Sequence, residues 1–113
     1  MTNVLFVCAL NLLRSPTAER VFAKRPGITT ASAGLISGAE RPLTPELLEW
    51  ADLIFVMDRS LEKRLSSTHG SLLASKRVIC LDIPDKYAFM QSSLIRMLKT
   101  RVGPHLHSLP GAR

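Results

Sequence analysis

Cysteine is scarce in this 113-residue chain, which has Cys8 and Cys80 and no others. Two thiols cannot build the disulfide framework of a small secreted domain, so a reducing, cytoplasmic setting is expected. Long apolar runs are missing too: none approaches the ~18 residues of a membrane helix, so no membrane span is expected. The first residues read directly as a strand, so no signal peptide is expected. His69, His105 and His107 stand in no ligand spacing with Cys or acids, so we expect surface positions for them, no metal site and no cofactor. Aromatics amount to 5%, and the one tryptophan, Trp50, is expected to pack rather than to touch a ligand. Acidic residues stop at Asp85, whereas Lys86, Arg96, Lys99, Arg101 and Arg113 follow it, and the formal charge is +6. Such a basic C-terminal region suits an acidic partner; more often it is a solvated face, and nucleic acid is not the favoured reading. Apolar content, by contrast, is ample at 46%, which excludes disorder and supports a single domain over 1–113.

Four short apolar runs alternate with helical patterns. Val4–Val7, Leu53–Met57 and Val78–Leu81 read as buried strands, and Ile28–Ala33, with its two threonines, as a less buried one. Thr17–Lys24 carries Ala18, Val21 and Phe22 at helical spacing and stops at Pro26-Gly27. Residues 34–42 read as a loop. Thr44-Pro45-Glu46 starts a helix ending near Trp50, and Asp58-Arg59-Ser60 caps another with Leu61 and Leu65 on its inner face. Ser66–Ser75 reads as a loop with at most a turn of helix, and Asp82–Phe89 as a loop. From Ser92 the stripe Leu94, Ile95, Leu98 and Val102 predicts a last helix that Gly103-Pro104 ends, with the final ten or so residues loosely ordered. Strands and helices in this alternation give an α/β fold, a four-stranded parallel sheet with helices on both faces and right-handed connections.

The stretch from Val4 to Pro16 concentrates the chemistry. A strand ends at Cys8, five residues follow, and Arg14-Ser15-Pro16 opens a helix, with Ser15 expected at the N-cap and Pro16 at the first helical position. A loop between a strand end and a helix N-terminus aims backbone N–H groups and the helix dipole at one point, which stabilises an anion. The loop Ala9, Leu10, Asn11, Leu12, Leu13, Arg14 and Ser15 is thus a candidate phosphate cradle over the Cys8 sulfur. Arg14 adds a planar fork matched to two phosphate oxygens, and Asn11 tolerates the left-handed backbone such a loop demands.

Cys8 to Pro16 resembles the signature of the low-molecular-weight protein tyrosine phosphatases, a Cys, five residues, then Arg-Ser-Pro. Ser32-Ala33-Gly34 is similar to that family's segment after its second strand, Ala51-Asp52-Leu53-Ile54 with Met57-Asp58 to its third strand, and Ile83-Pro84-Asp85-Lys86-Tyr87 to its general-acid loop. The resemblance implies a sheet order 2-1-3-4 in the three-layer phosphatase-I-like arrangement. It also implies a phosphocysteine on Cys8, with Asp85 as general acid and then base, stiffened by the proline before it. Asp82 is the rival for that role. Ser15 is expected to donate to the Cys8 thiolate, Ser32 to tie Asn11 in place, and Asp58 to serve structure. The chain is a short member with departures: Leu10 stands where the family has Gly, and Leu13 where it has a second Cys. Residues 34–42 lack an aromatic wall, leaving Tyr87 and Phe89 to sandwich a phenyl ring.

The expected partner is a phosphorylated protein or a small phosphomonoester. Other classes remain open at this point. A cysteine-phosphorylated carrier of the sugar phosphotransferase kind shares the strand, Cys and loop but lacks the Arg. Arsenate reduction needs a further pair of cysteines where this chain has only Cys80 left. A non-catalytic module that captures phosphorylated ligands is the third.

Overall fold

The computed structural model describes residues 1–107. Its elements run β1 (Thr2–Cys8), α1 (Arg14–Phe22), β2 (Ile28–Gly34), α2 (Pro45–Trp50), β3 (Leu53–Val56), α3 (Arg59–Leu73), β4 (Arg77–Cys80) and α4 (Ser92–His107). The strands form one parallel sheet in the order β2-β1-β3-β4, the order that the family resemblance implies. α1 packs with α4 and α2 with α3, one pair to each face.

β1 is central because it is apolar on both faces: Val4, Leu5, Phe6 and Val7 are all fully buried. Phe6 stacks between Phe22 of α1 at 5.9 Å and Phe55 of β3 at 5.4 Å, so one ring ties a helix to two strands. β2 is better covered than its threonines suggest, since Ala31, Ser32, Ala33 and Gly34 are buried. Small side chains there let α1 and the following loop lie close. β4, expected to be buried, is a half-buried edge, with Val78, Ile79 and Cys80 partly exposed.

Two helix limits differ from expectation. Ser66–Ser75 is not a loop: α3 runs to Leu73, with a kink at His69 (φ −133°, ψ 22°) that re-aims Leu72 and Leu73 at the core. α4 does not end at Gly103-Pro104 but continues to His107, because Val102, Gly103 and Leu106 are all buried. That packing outweighs the hydrogen bond Pro104 cannot make. The loose order expected of the last ten or so residues is therefore not seen at 104–107, and 108–113 lie outside the described residues. His69 and His105 are half-buried rather than on the surface, His105 standing edge-on to Phe55 at 5.8 Å. Among the described residues, no helix is long and apolar enough to cross a membrane.

Candidate active site

The winding of the sheet reverses at β1, whose two neighbours are β2 and β3. Ligands in open parallel sheets bind outside the carboxyl ends of the strands at such a place. Cys8 ends β1 there, Asp58 follows β3, and the segment with Asp82 and Asp85 follows β4. Cys8, Ala9, Leu10, Leu12, Leu13, Arg14 and Asp85 line one cavity of about 60 Å³.

The cradle is built from the backbone. Among the described residues, the N–H groups of residues 10–13 donate to no protein acceptor. α1 begins at Arg14, and its N-cap, Leu13, offers no side-chain acceptor. A helix start without a cap, beside free N–H groups, is a place where an anion completes the hydrogen bonding. Asn11 takes the left-handed turn at φ 58°, and its Nδ2 donates to Ser15 Oγ at 2.9 Å. Ser15 is not the N-cap that the sequence suggested: it lies inside the first turn, fully buried, with Oγ 2.8 Å from Cys8 Sγ. With Asn11 donating to it, Oγ has one proton of its own, which faces Cys8 Sγ at 2.8 Å and, more distantly, the Ala33 carbonyl at 3.5 Å; between Ser15 and Cys8 either group can be the donor.

Leu10 fits where the family has glycine because it needs no positive φ; Asn11 carries that conformation. Glycine is required instead at Gly34. A Cβ there would lie 2.5 Å from Ala39 Cβ and 2.8 Å from Ala9 O. This close approach lets the loop after β2 hold the cradle from behind, through Leu35 N–H to Cys8 O (3.0 Å), Ile36 N–H to Ala9 O (3.0 Å) and Glu40 N–H to Leu10 O (2.9 Å).

Arg14 is buried and held on several sides. Nη1 donates to Asp58 Oδ2 at 2.9 Å and to the Ile83 carbonyl at 2.8 Å, and Nε lies 3.5 Å from Asp85 Oδ1. Asp58 has the structural part expected of it, twice over: Oδ2 holds Arg14 while Oδ1 caps α3 through Leu61 N–H at 3.0 Å. The sequence signal was the Asp-Arg-Ser helix start, which says where the carboxylate sits but not that Arg14 arrives beside it. Burial pushes the Asp58 carboxyl up, but hydrogen bonds from Arg14, the Leu61 N–H and Ser60, with the charge of Arg14, hold it below its ordinary 3.8.

The remaining expected residues divide. Asp85 lines the cavity; Asp82 does not, and sits exposed at a turn with φ 56°. Arg101 Nη1 donates to the Leu81 carbonyl beside it at 2.7 Å. Ser32 does not tie Asn11 but donates to Glu19 Oε1, while Asn11 donates to Ser15. Tyr87 is buried with its hydroxyl toward Met97 Sδ at 3.8 Å, and is not among the residues lining the cavity. Among the described residues, no group of three or more His, Cys, Asp or Glu is placed to hold a metal ion.

A thiol under a free N–H cradle, a bidentate cation and a carboxyl at the mouth can attack phosphorus, hold its oxygens and move a proton. No protein-family model and no curated protein matches the sequence. Solved structures do match in shape. Wzb from Vibrio vulnificus, in complex with benzylphosphonate, superposes with a TM-score of 0.79 at 23% identity, covering 96% of this chain and 99% of that one. A mutant of YwlE from Bacillus subtilis gives 0.75 at 21%, covering 96% and 100%. SP-PTP, a low molecular weight protein tyrosine phosphatase from Streptococcus pyogenes, gives 0.76 at 18%, covering 97% and 94%. This chain has the fold of the low-molecular-weight protein tyrosine phosphatases.

Proposed function

We propose that the chain is a metal-independent, cysteine-dependent phosphomonoesterase, a protein tyrosine phosphatase in type, whose substrate is an aryl phosphate such as phosphotyrosine in a protein. The observation that carries this is the meeting of Cys8, Arg14 and Asp85 in one small cavity, with Ser15 Oγ 2.8 Å from the sulfur. Cys8 attacks phosphorus in line, forming the S–P bond as the P–O bond to the leaving group breaks. Asp85 gives its proton to the departing oxygen. Arg14 and the loop N–H groups hold the equatorial oxygens, so catalysis is mainly positioning and charge stabilisation. Water then attacks the phosphocysteine, Asp85 takes a proton from it, and inorganic phosphate leaves with the thiolate restored. The cradle, with Arg14 in it, counts against the phosphate-carrier alternative. A cytoplasmic setting suits a reduced Cys8, and the exposed basic residues Lys86, Arg96, Lys99 and Arg101 suit an acidic stretch on the phosphorylated partner.

The test is phosphate release from aryl, seryl and sugar phosphates in the presence of a chelator. Cys8→Ser should abolish release, a loss of about 1,000-fold or more, while keeping vanadate or phosphate binding, because the cradle and Arg14 are untouched. Substantial residual turnover in that variant refutes the nucleophile. Phosphate binding without turnover by the unaltered protein means a capture module.

A further inference from the structure

The large apolar side chains exposed among the described residues are Met1, Leu10, Leu12, Leu13 and Phe89. Three of these five lie in the loop after Cys8, at 40%, 51% and 37% exposure for Leu10, Leu12 and Leu13. A single exposed leucine needs no explanation. Three within four consecutive residues, all lining the cavity that holds Cys8, Arg14 and Asp85, form a contiguous apolar rim around a polar floor.

The loop does not need these side chains for its shape. Asn11 supplies the left-handed turn, the Leu10 carbonyl is held by Glu40 N–H, and the Leu13 carbonyl is held by Thr17 Oγ1 at 2.7 Å. Those bonds are made by backbone atoms, so the leucine side chains are left for a ligand. Tyr87, which the sequence nominated as a wall, is buried against Met97 and unavailable.

We infer that Leu10, Leu12 and Leu13 form a collar gripping the organic half of a phosphomonoester, and that Leu10 and Leu13 determine specificity, selecting an aryl group over a polar alkyl or sugar group. The inference rests on reading the loop as a phosphate site. A phosphoryl group seated over Cys8 leaves its ester oxygen pointing out of the cavity, so the next atoms pass between the leucines. A flat aryl face displaces water from them and is itself desolvated, which is favourable on both sides. A seryl or sugar group brings hydroxyl and amide groups against leucine, where they lose water without gaining a partner.

Binding and turnover test this separately. Inorganic phosphate, methylphosphonate and phenylphosphonate are titrated against the unaltered chain, Leu10→Ser, Leu13→Ser and the double variant, alongside kcat/KM on phenyl and alkyl phosphates. The unaltered chain should bind phenylphosphonate at least about tenfold more tightly than methylphosphonate, and each substitution should cut that ratio roughly 5- to 10-fold. Inorganic phosphate affinity should change less than about twofold, since backbone N–H groups and Arg14 hold it. An unchanged ratio overturns the inference. So does an equal loss of inorganic phosphate affinity, which would make the leucines part of the loop's shape. Loss of binding to vesicles containing anionic lipid, with the ratio intact, would assign the leucines to a membrane surface instead. If the phosphonates bind with the expected ratio but no ester is hydrolysed, the collar stands and the catalytic reading falls. If the unaltered chain binds no phosphate, both fall.

Discussion

Asp85 and Asp82 lie three residues apart on one loop, yet only Asp85 lines the cavity and approaches Arg14. That difference makes the acid testable by leaving group. p-Nitrophenolate departs with little help, whereas a tyrosyl or alkyl oxygen must be protonated as it leaves. Asp85→Asn should slow tyrosyl or alkyl phosphate hydrolysis about 100-fold or more, and p-nitrophenyl phosphate hydrolysis far less, at saturating substrate and one pH. Asp82→Asn should show no such dependence. If Asp82→Asn shows it instead, the proton comes from the wrong side of Ile83 for this geometry. Asn11 and Ser15 make the same point about single residues. Each was legible as a loop residue by type, but the bond between them at 2.9 Å, and the use of Ser15 on the sulfur rather than on the helix, arise only when β1 and α1 are packed.

Helix α3 couples its own start to the site. One carboxylate, Asp58, caps the helix with Oδ1 and holds Arg14 with Oδ2. Because its folded pKa lies below the ordinary 3.8, its stabilisation is present above that value and lost as pH falls through the lower folded value. Asp58→Asn keeps a side chain able to cap but removes the charge. It should cost on the order of 1 kcal/mol near pH 7, a value kept modest because the carboxylate is partly exposed. Thermal unfolding of the two proteins should converge as pH drops below 3.8. A gap that stays constant into acid would mean that the ion pair contributes nothing. Thr44 behaves as its sequence says, accepting from Leu47 N–H at 3.1 Å with Pro45 behind it. Caps are read well from sequence because both partners lie within three residues. Helix length is not: 66–73 is rich in Ser, Thr and Gly, poor helix formers, yet α3 continues through them to Leu72 and Leu73, which are partly buried against the core.

At the scale of the molecule, the sheet order separates the two thiols. Val7 pairs with Val56 and Val56 with Cys80, so Cys80 lies two strands from the end of β1. At ~4.8 Å per strand that is roughly 9–10 Å, beyond the ~7 Å Cα separation a disulfide tolerates. Mild peroxide should therefore stop turnover by oxidising Cys8 to the sulfenic acid and further, with no Cys8 to Cys80 bond. Mass spectrometry of the oxidised protein decides it, and finding that bond would contradict the strand order as well as the redox behaviour.

What sequence determined here is whatever rests on neighbours in the chain. The apolar run of β1, the Cys8 to Arg14 spacing, the Thr44-Pro45 helix start and the alternation that demands a parallel sheet are all local, and all are present in the fold. What tertiary structure decided is whatever needs two distant segments to meet. Arg14 finds Asp58 and the Ile83 carbonyl 44 and 69 residues away. Ser32 goes to Glu19, Tyr87 turns inward, and α4 runs through Pro104 because its next turn is buried. Local propensity costs a few tenths of a kcal/mol to ~1 kcal/mol per residue, whereas burying a leucine-sized side chain gains about 1.5–3 kcal/mol. Where the two disagree, as at the end of α4, burial wins, and one sequence read alone does not say which side chains will be buried.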